Sequence, residues 1–163
     1  MQLFVGVWPT PKVLAALREY PRPEGATSWS TEQQWMVNVR PLGHVSDAVA
    51  SQLIEALDFE LDGMPKPKAR LQTPKHGSWL RSPVDGLDEL RDVVFEATVP
   101  IVPVTHPKSL PWEVALPLSR ERASKDLVHP LDVSWTVGEV VLAKGRRTKE
   151  GHGYETVHAF RLG

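Results

Sequence analysis

The feature that most constrains this chain is its rhythm. Short β-branched or aromatic runs alternate with helix-like stretches, and prolines or glycines mark nearly every change. Gln2 to Trp8 reads as a strand, which Pro9-Thr10-Pro11 stops while offering Thr10 as an N-cap and proline at the first helical position. Val13, Leu14 and Leu17 then fall on one stripe, predicting a helix from about Pro11 to Tyr20. Trp35 to Arg40 is the next strand, closed by a Leu42-Gly43 turn. Ser46 caps a helix from about Asp47 to Leu57 that turns Val49, Leu53, Ile54 and Leu57 inward.

The second half repeats this order. Phe59 to Leu61, Ala69 to Gln72 and Gly77 to Arg81 are short strand candidates, and Asp85 to Thr98 is a helix. The proline-spaced segment VPIVPVTHPKSLP leads to a strand from about Trp112 to Leu118, followed by a short polar helix near Arg120 to Leu127. Ser134 to Lys144 and Tyr154 to Leu162 form a closing hairpin. Two strand-helix-strand lobes and a hairpin make an α+β fold. No linker or low-complexity segment divides it, so residues 1–163 are expected to form a single domain.

Composition narrows the function classes. A chain of 163 residues can bury about two thirds of the surface its unfolded form exposes, so it needs no staple. It has no cysteine, which excludes disulfides, thiolate zinc and a cysteine nucleophile, and makes the cytoplasm the default location. The N-terminal apolar run is too short for a signal-peptide core. No segment approaches the roughly 20 apolar residues that span a bilayer, so no membrane partner is expected. Lys and Arg number 19 against 20 Asp and Glu, so any nucleic-acid contact must be local. Two clusters could supply it: Lys66, Lys68, Arg70, Lys75 and Arg81, and Lys144, Arg146, Arg147 and Lys149. Solvated loops are the plainer reading of both. His106, His129, His152 and His158 lack ligand spacing, and no Walker, Rossmann or Gly-x-Ser-x-Gly pattern occurs, so neither a metal nor a cofactor is expected.

Three stretches carry a resemblance. Leu3 to Pro9 (LFVGVWP), Gln34 to Gly43 (QWMVNVRPLG) and the terminal segments WTVGEVVLAKGR and GYETVHAFRLG are similar, in this order and spacing, to the two-histidine (2H) phosphoesterases. That superfamily includes the 2'-5' RNA ligases and RNA 2',3'-cyclic phosphodiesterases. The resemblance implies a bilobal fold, two antiparallel-rich sheets facing a central groove with helices outside. It also implies one H-x-T or H-x-S on a strand of each lobe. Residues two apart on a strand meet one phosphate together, the imidazoles trading protons as general base and acid.

The frame is present and its reactive groups are not. The first signature, W-H-x-T-L-x-F-L-G in outline, keeps Trp35, Leu42 and Gly43 but has Met36 for the histidine and Asn38 for the threonine. The second has as its only matching frame Pro111 to Leu116, which sets Trp112 on the histidine and Val114 on the hydroxyl residue. Neither methionine nor tryptophan carries a proton at neutral pH, and valine cannot hold a phosphate oxygen. Losing one general acid or base typically costs about 100- to 10,000-fold. Alternation then predicts Met36, Asn38 and Arg40 on one groove wall, and Trp112, Val114 and Leu116 on the other.

His44-Val45-Ser46 and His76-Gly77-Ser78 also spell H-x-S, but the first follows a turn and the second precedes a short strand. The expectation is a degenerate 2'-5' RNA ligase or cyclic phosphodiesterase-like protein, a pseudoenzyme that binds a nucleotide or RNA end through Met36, Asn38, Arg40, Trp112 and Val114. Two alternatives stand beside it: a phosphodiesterase using His44 or His76, and a protein-interaction module whose groove is closed.

Overall fold

The computed structural model describes residues 1–105, 113–149 and 151–163, so Trp112 and His106 lie outside the described residues. Its elements are β1 (Gln2–Val7), α1 (Pro11–Glu19), β2 (Val37–His44), α2 (Asp47–Leu61), β3 (Lys68–Leu71), β4 (Arg81–Asp85), α3 (Asp88–Thr98), β5 (Ala115–Pro117), β6 (Val133–Thr136), β7 (Glu139–Thr148) and β8 (Gly151–Arg161). The strands form one eight-stranded sheet in the order β6-β3-β4-β5-β2-β1-β7-β8, and every described pairing is antiparallel. The expected α+β, two-lobed architecture is therefore present. Its two four-stranded halves join edge to edge where β2 meets β5, through the pair Asn38 and Ala115.

Local chemistry explains most of the boundaries. Pro11 opens α1 and Ser46 caps α2, its hydroxyl accepting the Val49 N–H at 3.2 Å. α2 runs on through Leu61, where a short strand was expected. Leu57 and Leu61, four apart, continue its buried stripe beyond Leu53 and leave Phe59 80% exposed. The strand expected before Arg81 begins at Arg81 instead and contains Pro83. Proline has no N–H to give the ladder, but its carbonyl accepts the Gln72 N–H at 2.9 Å. At Gly86, φ is +89° and a Cβ would stand 2.0 Å from the Lys68 carbonyl oxygen, so only glycine turns the chain from β4 to α3. The run expected as one strand from Ser134 to Lys144 breaks at Val137-Gly138. β6 stays with β3, β7 pairs with β1, and the Val137 N–H bonds the Pro67 carbonyl at 2.8 Å.

One face of the sheet packs against the helices. Leu3, Val5, Val7, Val37, Leu71, Leu116 and Leu142 meet Leu53, Leu57, Leu90 and Val94 in one continuous core. Each such side chain contributes about 1.5–3 kcal/mol on burial. The opposite face carries a small separate cluster, Met36, Val141 and Ala143, flanked by Phe4, Trp8 and Tyr154.

Candidate functional site

Ladder partners share a face, and Asn38 pairs with Gly6 on one side and Ala115 on the other. All three therefore lie opposite the helices, at the seam between the lobes. On β5 and its flanks Val114, Leu116 and Leu118 are buried in the main core. The residues that reach the groove on that strand are Glu113 and Ala115, one position out of phase with the expected Val114 and Leu116. Apolar burial on the helix side sets this phase, since a one-residue slip would put Val114, Leu116 and Leu118 in the groove and Glu113 in the core.

Met36 sits on the groove face, only 1% exposed, in the cluster with Val141 and Ala143. Its partner in space is Gly6, where a Cβ would lie 2.7 Å from the Met36 Sδ. The missing side chain of one residue thus receives the thioether of the other. Phe4 and Tyr154 close the cluster edge to face at 5.0 Å, and the Trp8 Nε1–H donates to Thr156 Oγ1 at 2.9 Å. Burial pushes the Tyr154 phenol above its ordinary pKa.

Arg40 lines the same cleft as Asn38, but it leaves the strand face that Met36 and Asn38 share. The β1–β2 register shifts between Val5 and Gly6, so Val5 faces Arg40 while Gly6 faces Asn38 and Val39 is the extra residue. This bulge turns Arg40 to the helix side, where it is 3% exposed. Its Nη2–H donates to the Val102 carbonyl at 2.6 Å, its Nη1–H donates to Thr98 Oγ1, and the Phe95 ring lies 6.0 Å away. Thr98 accepts from Arg40 and donates to the Val94 carbonyl at 2.7 Å. Burial lowers the guanidinium pKa from its usual value. Arg40 therefore anchors the segment after α3 against β2.

That segment forms one side of a cleft of about 580 Å³ bounded by β2 from Asn38 to Gly43, by residues 102–105, and by Glu113 and Ala115. The lining is mainly apolar, with two polar groups of note. The Asn38 Oδ1 is buried with no partner among the described residues. The Glu113 carboxylate receives the Arg81 Nε–H at 2.6 Å on Oε1, with Lys75 Nζ 4.0 Å from Oε2. His44 ends β2 opposite Gln2, and His76 lies in the loop beside Lys75; both are exposed, and neither side chain is paired among the described residues. No group of three metal-binding side chains occurs among the described residues. Glu113, Phe4, Tyr154 and Thr98 were not singled out in the sequence. The alternation of Val114, Leu116 and Leu118 was the signal that would have placed Glu113 in the groove.

This architecture defines the class of the fold: it is that of the LigT-like 2H phosphoesterases. A crystal structure of TT0787 from Thermus thermophilus superposes with a TM-score of 0.84 at 19% identity, covering 99% of this chain and 98% of that one. Escherichia coli LigT complexed with NADP+ gives a TM-score of 0.83 at 14% identity, over 99% of this chain and 96% of LigT. LigT complexed with 3'-AMP gives 0.76 at 16% identity, over 99% and 97%. At these identities the likeness shows the fold. No protein-family model and no curated protein matches the sequence.

Proposed function

We propose that this protein is a 2H phosphoesterase-like pseudoenzyme of the cytoplasm that binds a nucleotide or RNA end in the groove between its lobes. One observation carries the reading: the groove face at the β2–β5 seam presents Asn38, Ala115 and a Glu113 carboxylate engaged by Arg81, with Met36 buried beside them. A two-imidazole acid-base relay has no counterpart in that set. The cleft beside it is apolar enough to take a base or ribose, and the Asn38 amide oxygen has no partner among the described residues to compete with the edge of a base. LigT, which shares the fold, was crystallised with NADP+ and with 3'-AMP. No helix among the described residues is long and apolar enough to cross a membrane.

The test is paired. A 2',3'-cyclic nucleotide and an RNA with a 2',3'-cyclic end should both persist with the protein, while 3'-AMP should raise its melting temperature and change its tryptophan fluorescence. Turnover abolished by His44→Ala or His76→Ala would replace the pseudoenzyme with a phosphodiesterase using those residues. Absence of both turnover and any nucleotide response would leave the groove to a protein partner.

A further inference from the structure

Two hydrogen-bond acceptors stand together in the groove. Asn38 pairs with Ala115 across the seam, and Glu113 lies two residues back on the same face of that strand. The Val84 N–H bonds the Val114 carbonyl at 2.9 Å, one step past the Pro83–Ala115 pair, so the chain still follows the ladder there. A diagonal neighbour of this kind has its Cβ about 7–8 Å away. An amide and a carboxylate at that spacing can bring their oxygens to one group between them. The Arg40 guanidinium, in the same cleft, is held to the wall by Thr98 and the Val102 carbonyl.

Both acceptors have capacity for a ligand. The Asn38 Oδ1 is buried with no partner among the described residues, and an acceptor left so costs free energy that a donor on a ligand recovers. The Glu113 carboxylate takes the Arg81 Nε–H on Oε1 at 2.6 Å, which uses one of about four lone-pair sites on its two oxygens. Arg81 thereby fixes the carboxylate and offsets its charge. Acceptors in this arrangement choose among the nucleobases. Guanine sets its N1–H beside an amino group and so offers three N–H donors along one edge. Adenine and cytosine place a ring-nitrogen lone pair beside the amino group, which a carboxylate repels, and uracil has a single N–H between two carbonyls. The rest of the lining, Pro41, Leu42 and Pro103 among it, suits the faces of a flat ring, and the cleft of about 580 Å³ falls within the roughly 300–1,000 Å³ of small-molecule sites.

We propose that the groove selects guanine: the Glu113 carboxylate accepts the N1–H and one amino N–H of the base, and the Asn38 amide oxygen accepts the other amino N–H. The inference rests on the nucleotide-binding reading of the groove and gives that reading its base. The carboxylate bonds are charge-assisted and lie side by side, so Glu113 carries most of the choice and Asn38 the remainder.

Calorimetric titration of the full chain with 3'-GMP, 3'-AMP and 3'-IMP tests it, the inosine compound keeping N1–H and lacking the amino group. The wild type should bind 3'-GMP about tenfold or more tightly than 3'-AMP, with 3'-IMP between them. Glu113→Ala should bring 3'-GMP and 3'-AMP within about twofold of each other. That substitution also frees Arg81 and Lys75 for the phosphate of any nucleotide, so the ratio of two affinities on one protein is the quantity read. Asn38→Ala should narrow the gap between 3'-GMP and 3'-IMP while both stay ahead of 3'-AMP; an unchanged gap overturns the part given to Asn38. If the wild type binds 3'-AMP as tightly as 3'-GMP, or if Glu113→Ala keeps the wild-type preference, guanine selection is overturned and the groove reading stands. If the wild type binds none of the three, both fall together.

Discussion

β2 and β5 meet through one described pair, Asn38 and Ala115, yet they are shaped by different forces. β2 runs from Val37 to His44 and shifts register twice against β1, so its side chains leave strict alternation at Val39-Arg40 and again near Leu42. β5 covers only Ala115–Pro117, keeps strict alternation, and takes its phase from Val114, Leu116 and Leu118 packing on the helix side. In β2 a bulge decides what faces the groove, and in β5 the core decides. A motif frame read along the chain therefore transfers to one strand and misplaces the other by a residue.

The largest effect should come from opposing the two faces of β5. Leu116→Ala removes a side chain with no exposed surface and should cost about 2–5 kcal/mol. Ala115→Ser, in the groove, should stay within about 0.5 kcal/mol. Urea unfolding at constant m-value measures both. If Ala115→Ser proves as costly as Leu116→Ala, the phase given for β5 is wrong and Val114 returns to the groove.

The legible parts of the sequence are those where local chemistry acts alone. Pro11 and Ser46 placed the starts of α1 and α2 because capping needs only neighbours a turn away. The middle of β2 was readable from its β-branched residues, but the strand begins at Val37 and pairs with β1 through His44, past the turn expected at Leu42-Gly43. The β5 phase was readable too, from its own apolar alternation, but a frame ending in Trp112 and Val114 pulls it toward the family's pattern. The bulge at Val39-Arg40 left no comparable mark, since Arg40 looks like a surface residue until Thr98 and the Val102 carbonyl are brought to it from far along the chain. Long-range partners of this kind are what a single sequence conceals.

That contrast between Arg40 and Asn38 yields the next effect. Arg40→Ala strands the part-buried Val102 carbonyl and should destabilise by about 1–3 kcal/mol. Its coupling with Thr98→Val in a double-mutant cycle should lie within about 0.5–3 kcal/mol. Asn38→Ala deletes an amide oxygen that has no described partner, so stability should be neutral or improve slightly while nucleotide affinity falls. A destabilised Asn38→Ala with unaltered binding would make Asn38 part of the scaffold.

Glu113 gives a smaller change of stability and a larger change of ligand choice. Its pair with Arg81 is partly exposed on both sides, so Glu113→Gln should cost under about 1 kcal/mol. With the carboxylate gone, Arg81 and Lys75 are freed for an external anion, and 3'-AMP should bind several-fold more tightly in low salt, the gain shrinking as salt is added. Weaker 3'-AMP binding by Glu113→Gln would mean the carboxylate serves the ligand directly.

The smallest effects separate the lobes by pH. In the half built from β6, β3, β4 and β5, Arg70 donates through Nε and Nη2 to both oxygens of Asp132 at 2.8 and 2.9 Å, and this bonding holds the carboxyl pKa below its ordinary value. A depressed carboxylate contributes stability that is present above its unfolded pKa, about 3.9, and lost as pH falls through the lower folded value. Asp132→Asn should therefore flatten the acid limb of the stability profile below about pH 4 and change little at neutrality. In the half built from β2, β1, β7 and β8 the sign reverses: burial raises the Tyr154 pKa, so the unfolded chain ionises first near pH 10 and folding weakens as pH climbs from there toward the folded value. Tyr154→Phe removes that group and should leave the alkaline limb flatter than in the wild type. Urea midpoints from about pH 2 to 4 and from about pH 9 to 11 read the two limbs separately. An acid limb unchanged by Asp132→Asn would show that the Arg70 pair is screened at the surface, and an alkaline limb unchanged by Tyr154→Phe would mean that the Tyr154 ring packed on Phe4 opens to water.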